Sequence, residues 1–129
     1  MADKEYNGQG DLVDWNPDYI RQCSQITLAK LTDEGRRKFG EIRVLPACTE
    51  LDCYDNNLTK LPILSESLIS LNCRNNKLTE LPILPENLER LNCQYNNNLP
   101  YEITINNIKE HNNKIKLIKR KEIIKLICT

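Results

Sequence analysis

The residues of this chain that could carry out chemistry are its cysteines and its single histidine, His111. A thiolate can act as a nucleophile or bind a metal ion, and an imidazole can act as a general base. Cys53, Cys73 and Cys93 lie 20 residues apart in the middle segment of the chain. On neighbouring strands of one sheet they would stack about 4.8 Å apart in a line, which does not suit tetrahedral zinc. We therefore expect no metal site among them.

Other catalytic arrangements receive no support either. His111 falls where the repeat described below would place a core leucine, so we expect it to mark the end of the sheet. The glycines, Gly8, Gly10, Gly35 and Gly40, match neither a phosphate-binding loop nor a dinucleotide-binding motif. The sequence thus predicts no catalytic residue, no cofactor and no small-molecule substrate.

The start of the chain gives no signal for export. Residues 1–11 are polar, with no apolar run behind a basic start. No segment approaches the roughly 18 to 20 apolar residues that cross a bilayer, so we expect no membrane span. We interpret the 6 cysteines as reduced thiols in a cytoplasmic compartment, because disulfide frameworks belong mainly to secreted proteins.

The composition narrows the choice of partners. The chain has 129 residues, which is enough for one domain. Lysine plus arginine number 18 and aspartate plus glutamate also number 18, so the basic excess typical of nucleic-acid-binding proteins is missing. We do not expect nucleic acid as a partner. Hydrophobic residues make up 40% and aromatic residues 5%, which indicates an aliphatic core.

The middle of the chain contains a sequence repeat that is 20 residues long. Residues 51–70, LDCYDNNLTKLPILSESLIS, and residues 71–90, LNCRNNKLTELPILPENLER, are identical at 11 of 20 aligned positions. The period continues more weakly on both sides. Residues 91–110 retain Leu91, Cys93 and Asn96 of the repeat. On the N-terminal side, Val44 and Cys48 align with Leu64 and Leu68. Repeats of this length predict stacked units that share one core.

Each part of the repeated unit has a physical interpretation. Leu71 and Cys73 are two residues apart, so on an extended strand both face the core while their neighbours point outward. Asn76 follows at a turn, where a buried amide can bond backbone groups of its own unit and the next. The segments beginning Leu61-Pro62 and Leu81-Pro82 are expected to be extended, since proline removes a backbone donor and disfavours helix.

The unit L-x-x-L-x-C-x-x-N-x-L-x-x-L-P-x-L resembles the 20-residue form of the leucine-rich repeat. Over residues 41–110 it is similar to the LPxLP-type repeats of secreted bacterial effectors. The cysteine after the second leucine also resembles the short repeat proteins of giant DNA viruses that infect amoebae. The resemblance implies an α/β fold, a short leucine-rich-repeat solenoid of about three to four coils, with a parallel concave sheet and an extended convex side.

Some of the bacterial effectors with such repeats carry a ubiquitin-ligase domain, whose catalytic cysteine is followed two residues later by an acid. Cys53-Tyr54-Asp55 matches that pattern in this chain. However, Cys73 and Cys93 hold the same place in their units without the acid, and all three should face the packed interior. We therefore expect a core role for Cys53, and a ligase-like effector is the weaker alternative.

The flanks of the repeats predict caps that cover the ends of the core. We expect a polar tail over residues 1–11 and a helical N-terminal cap over residues 12–40. That cap would begin with Asn16 as the helix cap and Pro17 at the first position, followed by Ile20, Cys23, Ile26 and Leu31 at helical spacing, with a second helix from Asp33. The same segment could instead dock a partner. Residues 111–129 form a basic, isoleucine-rich C-terminal cap, for which we favour strands over a basic amphipathic helix.

The function follows from the outward side chains of the repeated strands, which have no role in the core. The predicted contact residues for a protein partner are Glu50, Asp52, Tyr54, Asp55, Ser70, Asn72, Arg74, Asn75, Arg90, Asn92, Gln94, Tyr95, Asn112 and Lys114. Tyrosine and arginine are the types that often anchor interfaces. The alternatives are a polar face that only keeps the repeats in solution, and a structural subunit of a larger assembly such as a viral particle. The location would then be the host cytoplasm or the virion.

Overall fold

The computed structural model describes residues 4–128 and has an α/β fold built on one parallel sheet. Five strands follow chain order in the sheet, and each pairs with the next. The elements are β1 (Glu5–Gln9), α1 (Pro17–Ile20), β2 (Gln25–Ala29), α2 (Asp33–Gly40), β3 (Glu50–Asp52), β4 (Ser70–Asn72), β5 (Arg90–Asn92), a 3₁₀ turn (Ile105–Asn107) and α3 (Ile108–Ile127). The predicted α/β class is confirmed at this level.

The register of the sheet follows the period of the sequence. Leu51 pairs with Leu71, and Leu71 pairs with Leu91, so β3, β4 and β5 are offset by one repeat each. The same offset joins Tyr6 of β1 to Ile26 of β2. Only the step from Ile26 to Leu51 is longer than one repeat. The sheet therefore begins well before the repeat that is visible in the sequence.

The N-terminal prediction is wrong in two respects. Glu5–Gln9 is the first strand of the sheet rather than part of a polar tail. The segment 12–40 is not a purely helical cap, because it contains β2 and places Ile26 in that strand instead of a helix. The physical reason is a two-residue alternation, since Tyr6, Gly8, Ile26 and Leu28 are buried while the residues between them face outward.

The two predicted helix starts are confirmed. The Asn16 side chain accepts hydrogen bonds from the backbone of Asp18 and Tyr19, at 3.0 and 3.4 Å, and Pro17 is the first helical residue. The helix ends at Ile20, however, so it is shorter than the spacing predicts. The second helix starts at Asp33, with Thr32 as its cap.

Buried residues form columns that run from strand to strand. One column holds Tyr6, Ile26, Leu51 and Leu71, and a second holds Gly8, Leu28, Cys53, Cys73 and Cys93. A third column contains the buried amides Asn56, Asn76 and Asn96. The Oδ1 of Asn56 accepts from Leu31 N–H at 2.9 Å, and the Oδ1 of Asn96 accepts from Leu78 N–H at 3.1 Å. The expected ladder of asparagines is thus present.

The backbone is left-handed at the equivalent position after every strand. The φ angles there are 59° at Gly10, 52° at Lys30, 58° at Asp55, 57° at Asn75 and 58° at Tyr95. Each of these residues is five places after the first residue of its strand. Glycine, asparagine and aspartate tolerate this conformation, whereas lysine and tyrosine are strained in it.

The segment before β3 departs from the predicted alignment by one residue. The alignment predicts Val44 in the core at the position of Leu64, but its side chain is exposed and Leu45 is buried instead. Leu45 N–H donates to the carbonyl of Ile63 at 2.7 Å, and Ile63 N–H donates to that of Arg43 at 2.9 Å. Val44 is therefore the counterpart of Ile63. The shift lies within the longer interval that separates β2 from β3.

The C-terminal cap is a helix, which contradicts the favoured prediction of strands. α3 runs from Ile108 to Ile127 with no glycine or proline inside it. The 3₁₀ turn that leads into it is capped by Thr104 and Asn107, because Asn107 Oδ1 accepts from Thr104 N–H at 2.8 Å. The isoleucines favour a strand, but the lysines, glutamates, leucines and arginine among them favour a helix. Its buried residues are Ile108, His111 and Asn112, of which the last two bond backbone groups of the 71–90 unit.

Candidate functional site

The outward side of the sheet forms a continuous polar surface, which we call the polar face. It comprises the outward side chains of β1 to β5 and the residues that directly follow β3, β4 and β5. Of the predicted contact residues, those on this surface are Glu50, Asp52, Tyr54, Asp55, Ser70, Asn72, Arg74, Asn75, Arg90, Asn92, Gln94 and Tyr95, all exposed or half-buried. The register places them in rows, since Glu50 pairs with Ser70 and Ser70 with Arg90.

The polar face is wider than the sequence predicts. Glu5 of β1 and Gln25 of β2 extend the row that holds Glu50. Asn7 and Thr27 extend the row that holds Asp52 in the same way. The signal that reveals them is the alternation of polar and buried residues along both N-terminal strands.

Asn112 and Lys114 do not belong to the polar face, so their prediction as contact residues there is wrong. Both lie on α3, because residues 108–127 form a helix instead of a further strand. Asn112 is buried, with its Oδ1 accepting from Leu84 N–H and its Nδ2 donating to the Leu84 carbonyl, both at 2.8 Å. Lys114 lies over the Tyr101 ring, with its Nζ 4.1 Å from the ring centre.

Charge is distributed unevenly across the polar face. The acids Glu5, Glu50, Asp52 and Asp55 lie on or after β1 and β3, whereas Arg74 and Arg90 lie on or after β4 and β5. The Nη2 of Arg90 is 3.4 Å from the Oε1 of Glu50, two strands away. The small Ser70 side chain on β4 leaves room for this contact. An exposed pair of this kind contributes at most about 1 kcal/mol, but it fixes the position of the arginine.

Tyr54, Arg74 and Tyr95 are exposed on adjacent units of the polar face. The tyrosine side chains are 50% and 61% exposed, which is high for aromatic residues. The guanidinium carbon of Arg74 lies 5.1 Å from the centre of the Tyr95 ring. This contact restricts both side chains before any partner arrives, which lowers the conformational entropy that they lose on binding.

The turn after each strand is held by short side-chain bonds. The side-chain oxygens of Asp52, Asn72 and Asn92 accept from the backbone N–H two residues later, at 3.3, 3.2 and 3.1 Å. Asn75 Nδ2 also donates to Asp55 Oδ1 at 3.2 Å. Within residues 4–128, the Nδ2 groups of Asn72 and Asn92 make no hydrogen bond, so these two donors remain available to a ligand.

The cysteines lie behind the polar face, inside the core. Cys53 is fully buried while Asp55 is exposed, so the two side chains face opposite sides of the chain. Burial raises the pKa of Cys53 to about 12, and the charge of Asp52 adds to the effect. The pKa of the Cys73 thiol is raised further, also by burial and by its cysteine neighbours. A protonated thiol in the core is neither a ready nucleophile nor an accessible metal ligand.

His111 is a buried residue of α3 and not the end of the sheet that the sequence predicts. Its Nδ1 is 2.7 Å from the hydroxyl of Tyr101, and its Nε2 is 2.9 Å from the carbonyl of Pro82. Because a carbonyl only accepts, Nε2 donates to Pro82, and Nδ1 forms the second hydrogen bond with the Tyr101 hydroxyl. Both nitrogens therefore serve to attach the helix. Within residues 4–128, no three histidine, cysteine or acidic side chains are grouped as a metal site would require.

None of the helices in residues 4–128 has both the length and the apolar character needed to span a membrane. Comparison of the chain with protein-family models, with curated proteins and with solved structures gave no match.

Proposed function

We propose that this chain is a small leucine-rich-repeat solenoid that binds another protein through its polar face and has no enzymatic activity. The solenoid is supported by the regular register of β3 to β5 and by the asparagine column between units. The returning segments, which contain Leu61-Pro62 and Leu81-Pro82, carry no helix, as expected for an extended convex side. In such an architecture the sheet lines the concave side, so the polar face would be the concave surface.

The observation that carries the binding proposal is the cluster of Tyr54, Arg74 and Tyr95. These are the residue types that dominate interface energies, and none of them contributes to the core. Tyr95 in addition occupies a left-handed backbone position at which a tyrosine is strained. Strain of this kind, kept on an exposed aromatic residue, is typical of positions selected for recognition rather than for stability.

The charges of the polar face indicate what kind of protein surface would fit it. A complementary partner would place basic groups opposite β3 and acidic groups opposite Arg74. The free amide donors of Asn72 and Asn92 would meet acceptors such as carbonyl oxygens near the centre. Because the opposing charges lie on one surface, they would orient the partner more than they would strengthen its binding.

The absence of catalysis is supported by the environment of the thiols. Cys53 has the acid two residues later that a ligase-like mechanism needs, but the Cys53 side chain is buried whereas Asp55 is exposed. Its pKa, raised to about 12, leaves almost no thiolate at neutral pH. A ligase-like effector therefore remains the weaker alternative.

The test uses affinity capture from the native source with the wild-type chain and a triple variant, Tyr54→Ala, Arg74→Ala and Tyr95→Ala. We expect the variant to lose a partner that the wild type retains, because truncating an interface anchor commonly costs about 2 kcal/mol. The matched control, Lys60→Ala with Glu66→Ala, changes exposed residues of the segment between β3 and β4. Equal capture by all three proteins, each with wild-type stability, would refute the proposal.

A second function, as a structural subunit of a larger assembly such as a viral particle, is favoured by one observation. Every residue from 116 to 128 is exposed, although this half of α3 carries large aliphatic side chains. Leu117, Ile118, Ile123 and Ile124 are all more than half exposed. Apolar patches of this kind mark contact surfaces. Light scattering would distinguish the two functions. A structural subunit should form defined oligomers, which the double variant Leu117→Gln with Ile124→Gln should abolish. A free binding module should stay monomeric.

A further inference from the structure

The edge of β5 ends the sheet with unused hydrogen-bonding groups. After β3, the N–H groups of Cys53 and Asp55 donate to the next unit, to the Asn72 and Arg74 carbonyls, at 2.8 and 2.9 Å. After β4, the N–H groups of Cys73 and Asn75 do the same toward the carbonyls of Asn92 and Gln94, at 2.9 and 2.8 Å. These bonds define which groups of a unit face the following strand.

The equivalent groups beside β5 have no partner among residues 4–128. They are the N–H groups of Cys93 and Tyr95 and the carbonyl of Glu89. The carbonyl of Ile69, which is the counterpart of Glu89 beside β4, accepts from both Glu89 and Arg90 N–H, at 2.8 and 3.0 Å. The edge of β5 therefore presents the same donors and acceptor that receive a strand elsewhere in the sheet.

An open groove lies beside this edge. Its volume is about 600 Å³, and it is lined by residues 91–97, Leu99 and residues 101–104. The floor is closed where the Cys93 thiol donates to the carbonyl of Ile103 at 3.0 Å. Leu91 is only partly buried, although its counterparts Leu51 and Leu71 are fully buried. Leu91 thus lacks the full cover that Leu51 and Leu71 receive from the strand that follows them.

We infer that an extended segment of a partner protein docks in this groove as a sixth, parallel strand on β5. The segment would accept from the N–H groups of Cys93 and Tyr95 and donate to the carbonyl of Glu89, which continues the existing ladder. Its residues must alternate, because the position beside Leu91 covers the core and the positions next to it join the polar face.

Charge specifies one of those positions. The residue of the added strand that pairs with Arg90 lies in the row of Glu50, Ser70 and Arg90. Arg90 already attracts Glu50 from two strands away, at 3.4 Å. An acidic residue next to Arg90 would be closer than Glu50 along the row, whereas a basic one would be repelled. The preferred segment is therefore acidic, apolar, polar and apolar at successive positions.

The free edge of β1 is less suited to fill the groove with a second copy of the chain. On that edge the carbonyl of Glu5 already accepts from the hydroxyl of Tyr19, at 3.1 Å. A second copy in the register of the sheet would need this carbonyl to accept from the edge of β5. The groove thus favours a segment of a different protein, and self-association becomes one outcome of the test.

The probe is a synthetic peptide with the sequence of residues 66–78, in which Ser70 is replaced by glutamate. In the intact chain this segment pairs with the equivalent edge of β3, so its strand already has the right alternation. Amide hydrogen exchange, followed residue by residue by NMR, is measured with and without the peptide. A peptide with lysine at position 70, and one with Leu71→Lys, are the controls.

In the free protein we expect the amides of Cys93 and Tyr95 to exchange at least tenfold faster than those of Cys73 and Asn75. Saturating peptide should slow both by at least tenfold. The Leu71→Lys peptide should fail to do so. The variant Arg90→Glu of the protein should lower the affinity for the glutamate peptide by about two- to fivefold. It should also bind the lysine peptide more tightly than the glutamate peptide.

Three results would overturn the inference. One is full protection of Cys93 and Tyr95 in the free monomer, and another is protection that rises with protein concentration alone, which would indicate a second copy. The third is binding of the peptide without any change at these two amides. The polar-face variant Tyr54→Ala with Arg74→Ala should bind the peptide normally, so failure of the proposed concave binding surface can be distinguished from failure of this one.

Discussion

The side-chain oxygen of Asn76 lies 3.0 Å from the backbone nitrogen of Asn56, its counterpart in the preceding unit. The same oxygen accepts from Leu58 N–H, and the Asn76 Nδ2 donates to the carbonyls of Cys53 and Cys73, at 3.1 and 3.0 Å. Its Nδ2 also lies 3.3 Å from the Arg74 carbonyl, so one buried amide bonds five backbone groups. Adjacent units are joined by this polar contact as well as by packing.

Replacing Asn76 with alanine should therefore be severely destabilising. Several buried backbone groups would lose a side-chain partner, and each unsatisfied group costs about 1 to 3 kcal/mol. We expect the free energy of unfolding, measured by urea denaturation, to fall by about 3 kcal/mol or more. Asn87→Ala, at an exposed position, should change it by less than about 0.5 kcal/mol. Similar losses for both variants would contradict the role assigned to the ladder.

Gly35 should tolerate no side chain. A Cβ at this position of α2 would lie 2.0 Å from the carbonyl oxygen of Gly10, so the helix would have to move away from the first turn of the sheet. We expect Gly35→Ala to lower the melting temperature, with a loss of about 2 kcal/mol or more. Gly40→Ala, at the end of the same helix, meets nothing within 4 Å and should be neutral or slightly stabilising.

Tyr95 should show opposite effects on stability and on binding. Its φ of 58° suits asparagine, which is the residue at the equivalent position 75. Tyr95→Asn is expected to raise the free energy of unfolding by up to about 1 kcal/mol and to weaken partner binding. Tyr54→Asn, where no left-handed backbone is relieved, should weaken binding without any gain in stability. A destabilised Tyr95→Asn protein would show that the ring contributes more to packing than its exposure indicates.

Stability should decline in alkali because of the buried thiols. Burial raises the pKa of Cys48 to about 11 and that of Cys53 to about 12, from an ordinary thiol value of 9.0. Above pH 9 the unfolded chain loses these protons while the folded chain keeps them, so the free energy of unfolding falls as pH rises. The decline should extend from about pH 9 to pH 11 or 12, with up to about 1.4 kcal/mol per pH unit for each thiol.

The variant Cys53→Ala tests the contribution of one thiol to that decline. Its slope of unfolding free energy against pH should be shallower than that of the wild type between pH 9 and 11, whatever its absolute stability. The matched control is Cys128→Ala, which removes an exposed thiol instead of a buried one. Identical slopes for wild type and Cys53→Ala would argue against a buried, protonated Cys53.

The sequence is informative wherever one side chain both repeats and determines local geometry. Leucine, cysteine and asparagine recur at fixed positions of the repeat between positions 51 and 96, so the sheet register and the buried amides could be predicted from spacing alone. β1 and β2 escape prediction because their units replace these residues with residues of other types. Gly8 and Leu28 stand where Cys53 stands, and Asp11 and Leu31 stand where Asn56 stands.

The C-terminal helix could not be predicted because its signals conflict. Isoleucine and lysine alternate from Lys114, which favours a strand, and only contacts outside the segment decide in favour of a helix. The paired bonds between Asn112 and the Leu84 backbone, and those of His111 to Tyr101 and Pro82, require the folded last unit. As a consequence, sequence reasoning assigns two of the contact residues, Asn112 and Lys114, to the wrong surface.

The most direct test of the proposed binding surface is site-specific photo-crosslinking in the native source. A photoreactive amino acid is placed at position 74 on the polar face and, in a separate protein, at position 66 between β3 and β4. If a partner binds the polar face, position 74 should give a discrete adduct with one partner protein, and position 66 should give none. Changing Tyr54 and Tyr95 to alanine should abolish the adduct. This is the result expected from the proposed interaction. A partner that crosslinks at position 66 and not at position 74 would contradict it.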